Sequence, residues 1–140
     1  MSQPQITKIL ASNAHADHRR GGDVRVLLSP KTVGSTSGFM GVAHLEPGEF
    51  ISEHYHPYSE EFLYVTRGAI IARINGEPIP LSAGEALLVP KNARHRLENA
   101  GMEPASLVFQ LCPLAPRPEL GHVDTEPYPN SVQAAVGGGQ

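Results

Sequence analysis

The sequence of 140 residues holds a single cysteine, Cys112. No internal disulfide can form, and the surrounding "VFQLCPL" reads as a buried small hydrophobe, not a nucleophile. Long apolar runs are also missing. Nothing approaches the roughly 20 residues that a membrane-spanning helix needs, so no membrane role is expected. The opening "MSQPQITKIL" lacks the charged start and apolar stretch of a secretory signal, which points to a cytoplasmic location. Positive charge is scarce: 11 Lys and Arg stand against 14 Asp and Glu, giving a net charge of −3. Apart from Arg19-Arg20 the basic residues are scattered, so nucleic acid is not an expected partner. Helical periodicity is sparse and no internal repeat is visible.

What the chain does have is punctuation. Its 14 glycines and 13 prolines fall between short apolar runs instead of gathering in one linker. Strands are predicted over residues 24–29, 39–46, 49–56, 61–67, 69–75, 85–90, 94–99 and 105–112. Turn signals separate them, and Asn75-Gly76 is the strongest, because both residues tolerate the positive φ of a two-residue hairpin turn. About eight short strands so spaced indicate an all-β, single-domain antiparallel sandwich or barrel. The expected organisation is an irregular arm over 1–22, the β domain over 23–115, and a proline-rich strap with a frayed tail over 116–140.

The stretch "SEHYHPYSEEFLYVTRG" carries the chemistry. On a strand, residues i and i+2 leave the same face, so His54 and His56 point together and can reach one metal ion. After the turn through "PYSE", Glu61 begins a strand that folds back beside them and can supply a carboxylate ligand. His95 opens a later strand that a sandwich can bring onto the same inner face. Glu60 should face outward if Glu61 faces inward. His-x-His alone is weak grounds for a metal site, since two histidines on an exposed strand face would look the same.

The spacing adds to this. Gly48, His54-x-His56, Glu61 and Gly68, followed by Gly84, Pro90, His95 and Asn99, resemble the two motifs of the cupin superfamily in the right order, and the likeness covers roughly Phe39 to Leu114. The resemblance implies a double-stranded β-helix, a jelly-roll barrel, with His54, His56, Glu61 and His95 as metal ligands and the glycines at turns. One departure is "PKN", where Asn92 stands in the usual glycine place; asparagine tolerates the left-handed conformation, so the turn should survive.

A narrower likeness is carried by "GFMGVAHLEPGEFISEHYHPYSEEFLYV", "LLVPKNARHRLEN" and the strap "PLAPRPELGHVDTE". These resemble the small cupin cyclases of bacterial aromatic polyketide clusters of the tetracenomycin, resistomycin and spore-pigment type. That resemblance implies a metal-dependent cyclase or aromatase, zinc first and iron, manganese or nickel as alternatives. Its substrate would be a poly-β-ketone chain carried on an acyl carrier protein, and the usual assembly of cupins of this size implies a homodimer. It also implies a histidine-rich site, for which His44 is the candidate extra ligand and His122 a further one. By strand alternation either His44 or the pair Ala43 and Leu45 faces inward. His15 and His18 are expected at the surface.

Glu61 keeps two readings, ligand or general base, because a methylene between two carbonyls needs both an electrophile and a proton acceptor. Phe39, Met40, Phe50, Leu63, Val65, Ile71 and Phe109 either line a cavity or form core. Tyr55, Tyr58 and Tyr64 lie near the mouth or on an exposed face, and Arg94 and Arg96 read as solvated charges flanking His95. Two other functions fit the same residues: a metal-dependent dioxygenase or isomerase, and a non-catalytic cupin that binds a small ligand.

Overall fold

The computed structural model describes residues 5–129. Its strands, in chain order, are β1 (Asp23–Leu28), β2 (Phe39–Leu45), β3 (Phe50–Tyr55), β4 (Glu60–Arg67), β5 (Ala69–Ile74), β6 (Glu77–Ser82), β7 (Ala86–Val89), β8 (His95–Glu98), β9 (Ala105–Cys112) and β10 (Val123–Asp124). They form two antiparallel five-stranded sheets of order β1-β2-β9-β4-β7 and β10-β3-β8-β5-β6. This is the jelly-roll arrangement that the cupin motifs imply.

Alternation of side chains explains why the sheets face each other. On β4 the residues Glu61, Leu63 and Val65 are buried while Phe62, Tyr64 and Thr66 are exposed. On β9 the residues Ala105, Leu107, Phe109 and Leu111 turn inward at the same period. These inward residues meet Ala43, Leu45, Ile51, Ile70, Ala72, Leu81, Val89 and Leu97 in one core between the sheets. Of the residues read as cavity or core, Leu63, Val65 and Phe109 belong to that core and Phe39 packs against it. Ile71 does not, because on β5 its neighbours Ile70 and Ala72 take the inward positions.

The turns follow from residue chemistry. Asn75 and Gly76 both adopt positive φ, 51° and 83°, between β5 and β6. Asn92 adopts φ 67°, so asparagine does serve in the glycine place. Gly68, at φ 72°, is constrained twice over, since a Cβ there would lie 2.3 Å from the Pro104 carbonyl oxygen. Asn99 is buried and ties three segments together: its amide donates to the Leu45 and Glu103 carbonyls, and its side-chain oxygen accepts from the Gly101 N–H.

Among the elements outside the predicted set are an edge strand, a helical turn and a strand from the strap. β6 runs through Pro78 and Pro80 and is an edge strand, where a nitrogen facing the open side forfeits no ladder bond. A single helical turn, α1 (Pro30–Val33), is closed by a reciprocal Ser29–Thr32 capping box with proline at its start. β10 comes from the strap, which adds a strand to the second sheet beside β3.

Candidate metal centre

His54, His56, Glu61 and His95 come together at one end of the space between the sheets, each offering a ligand atom within 4.8 Å of the others. Two of them are direct cross-strand partners, His54 on β3 and His95 on β8. His56 follows β3 in the loop, and Glu61 arrives from the opposite sheet on β4. The loop after β7 is held against this group, because the Asn92 N–H donates to the His56 carbonyl at 3.0 Å. Glu60 is half-buried beside the buried Glu61, so the strand sends the two carboxylates to different faces.

Each of the three rings is oriented by the main chain. His54 Nδ1 lies 2.7 Å from the Ser52 carbonyl, His56 Nδ1 2.8 Å from the Gly121 carbonyl, and His95 Nδ1 3.0 Å from the Ala93 carbonyl. A carbonyl only accepts, so each Nδ1 carries a proton and each Nε2 is the atom left to face the other members of the group, as a lone pair wherever the ring is neutral. Nε2 of His56 and of His95 lie 3.1 and 2.9 Å from Glu61 Oε1. Lone pairs directed at a carboxylate are held there only by shared positive charge, supplied by ring protons or by a bound cation. Three imidazole nitrogens and one carboxylate, the rings' second nitrogens engaged by carbonyls, form a group that could hold a metal ion.

The electrostatics follow from the same contacts. Burial opposes the ionised form of Glu61, but the bonds from His56 and His95 outweigh it and hold the carboxyl far below its usual range. Burial likewise opposes charge on His95, and Glu61 overcomes it, so His95 is raised. His54 is pushed well down by burial first and by the neighbouring His95 and His122 rings next.

The structure lays His122 against the group without making it a fifth member, and leaves His44 outside it. The His122 ring stacks on His54, with centroids 4.2 Å apart at 15°, and its Nε2 donates to Asp124 Oδ1 at 2.8 Å. His44 stands on the outer side of β2 because Ala43 and Leu45 are the buried residues there. Its nitrogens bond Ser106 Oγ at 3.0 Å and Glu46 Oε2 at 2.5 Å. His15 and His18 are exposed.

A family model described as a cupin domain matches residues 41–111. The chain belongs to the cupin family. Among relatives of this cupin, the tetracenomycin polyketide synthase protein TcmJ of Streptomyces glaucescens is 54% identical over 133 residues, covering 94% of this chain and 89% of TcmJ. Polyketide synthase CurC of Streptomyces cyaneus is 59% identical over 110 residues, covering 79% of this chain and 71% of CurC. The fold is shared with the polyketide cyclase RemF from Streptomyces resistomycificus, with a TM-score of 0.71 over 94% of each chain at 13% identity.

Arg96 is not a free solvated charge: its guanidinium lies 3.9 Å from the Phe50 ring centroid and pairs with Glu98 and with Glu126 of the strap, the latter at 3.0 Å. Those carboxylates carry no local sequence signal that marks them as partners. Tyr64 lies on the outer face of the first sheet, 47% exposed, beside Phe62 at 43% and Leu88 at 45%. Among the described residues no helix is long and apolar enough to cross a membrane.

Proposed function

We propose that this cupin is a metal-dependent polyketide cyclase that directs aldol cyclisation of a poly-β-ketone chain presented on an acyl carrier protein. The observation that carries the reading is near full-length similarity to polyketide synthase proteins in a chain with a buried three-histidine, one-carboxylate centre. A divalent ion held by His54, His56, Glu61 and His95, zinc in the first instance, would act as a Lewis acid on substrate carbonyl oxygens and so acidify the methylene between them.

The residues of the chain do the rest. The Ser52 and Ala93 carbonyls orient His54 and His95 from outside the strap, so those two donor atoms are preorganised before substrate arrives, while His56 takes its acceptor from Gly121 of the strap. Glu61 is ionised and buried, which suits a ligand; as a base it would accept the methylene proton with less driving force, because its pKa is depressed. An apolar core lies between the same two sheets, and a mostly apolar surround would limit competing spontaneous reactions of the chain.

The molecule is proposed to act as a homodimer through the outer face of the first sheet. Phe62, Tyr64 and Leu88 lie exposed and adjacent there, with Phe62 opposite Leu88 in the ladder.

The deciding experiment is a reconstituted synthase that makes the carrier-bound poly-β-ketone, run with and without the protein, aerobically and anaerobically. The expected result is one ring pattern in place of a mixture of spontaneous aldol products, lost on chelation. An unchanged product distribution would overturn the cyclase reading. A product formed only with oxygen would replace it with a dioxygenase.

A further inference from the structure

As folded here the histidine centre is closed. His54, His56, Glu61 and His95 are 7, 7, 6 and 1% exposed, so a bulky molecule cannot touch them without something moving. The strap lies over them. The Gly121 carbonyl accepts a hydrogen bond from His56 Nδ1, the His122 ring lies flat on His54, and β10 pairs with β3 opposite His54 and Tyr55.

We infer that the segment from Gly121 to Tyr128 is an access gate to the histidine centre, opened by detaching β10 from β3 and latched by Glu126.

The way this segment is held distinguishes it from the rest of the fold. None of its side chains belongs to the hydrophobic core, so opening it exposes little apolar surface. Its attachments are polar. The two-residue ladder is continued by Thr125, whose N–H donates to the Glu53 carbonyl at 3.0 Å and whose hydroxyl donates to Glu53 Oε1 at 2.7 Å. Glu126 Oε1 accepts from the Glu53 N–H at 2.6 Å and from Arg96 Nε at 3.0 Å, clamping the strap to both β3 and β8. Further along, the Tyr128 hydroxyl donates to Asp124 Oδ2 at 2.7 Å, and Arg20 reaches over the Tyr128 ring from the N-terminal arm.

Water can replace every one of these hydrogen bonds once the strap lifts, so each contributes only modestly to holding it shut. In the other sheet, β4 and β9 carry buried apolar side chains of the core. Regions with few buried apolar contacts open locally at a small fraction of the cost of global unfolding. Opening also leaves β3 as the new sheet edge, with solvated backbone groups at Glu53 and no break in the core. His122 and the Gly121 carbonyl leave together, so the same motion bares the His54 ring and removes the acceptor that orients His56. That a polyketide is what passes through rests on the proposed function; the gate itself rests on the contacts above.

The test is amide hydrogen exchange on the full chain, followed by a locked variant. The amides of Glu53 and Thr125 should exchange at least about a hundredfold faster than those of Leu63 and Leu107, and Glu126→Gln should speed the strap amides a further tenfold or so while leaving β4 and β9 unchanged. Strap amides as slow as those of β4 and β9, or a uniform acceleration in the variant, would overturn the gate. The locked form carries Glu53→Cys and Thr125→Cys, neighbours across β3 and β10, with Cys112→Ser. Loaded with zinc and challenged with dipicolinate, it should release the ion at least about tenfold more slowly oxidised than reduced. Equal release rates would also overturn the proposal. Failure to load zinc, or an unaltered polyketide product pattern, would count against the proposed function and leave the exchange result to decide the gate.

Discussion

Replacing Glu61 by glutamine is the most informative single change at the centre, because it keeps shape and removes charge. In the metal-free protein the carboxylate receives two contacts, from His56 Nε2 at 3.1 Å and His95 Nε2 at 2.9 Å, with all three side chains buried. Charge-assisted hydrogen bonds contribute about 1.5–3 kcal/mol each. The variant is also relieved of the cost of burying a carboxylate, and the new amide can still donate to one ring, so the net loss is set at about 3 kcal/mol. For a chain of this length that is a fall in melting temperature of roughly 12 °C. The assay is thermal denaturation of chelator-treated protein, wild type beside Glu61→Gln, followed by zinc content after reloading. If Glu61 is a ligand, zinc occupancy falls with activity. If it is the base, zinc stays while cyclised product drops by about 10²–10⁴-fold. A variant that melts with the wild type, binds zinc with unchanged affinity and cyclises normally would refute the reasoning that this carboxylate organises the centre.

Three further outcomes are expected. His54→Ala and His56→Ala should each lose most of the bound divalent ion by elemental analysis, while His44→Ala, on the outer face, should retain it. In the metal-free protein Glu61 is lowered, so its contribution is present above the ordinary carboxylate value of 4.5 and is lost as pH falls through its folded value. His95 is raised, so its contribution is complete below 6.5 and is lost as pH rises through its folded value. The rise in melting temperature on adding zinc should therefore grow from pH 6 to pH 8, where metal no longer competes with protons; a pH-independent increment would contradict this. Gly68→Ala should lower the melting temperature by several degrees, since it forces a side chain into positive φ and against the Pro104 carbonyl.

Local patterns carried most of the architecture. The strand over Ala105–Cys112 was legible to the residue because alternation there is unbroken, and the approach of His54 to Glu61 was legible because a short turn leaves few ways for β4 to return. β6 was not legible, since Pro78 and Pro80 argue against a strand unless its edge position is known. His44 was ambiguous for a related reason. Alternation fixes which residues share a face on β2 but not which face meets the core, and the packing of Ala43 and Leu45 decides it. The strap contacts were hidden more deeply. His122 meets His54, and Glu126 meets Arg96, across long stretches of chain, and no periodicity encodes such a meeting.

The acceptors that orient the three imidazoles are main-chain carbonyls at Ser52, Ala93 and Gly121. A carbonyl is present whatever side chain its residue bears. Substitutions around the centre can therefore reshape the surrounding space without altering which ring nitrogen faces inward. Donor geometry is inherited from the path of the backbone, and selectivity for a guest is free to vary with the side chains. Within such a scaffold the coordinating group and the shape of what it receives can diverge independently, and only a change in the chain's course at 52, 93 or 121 would touch both.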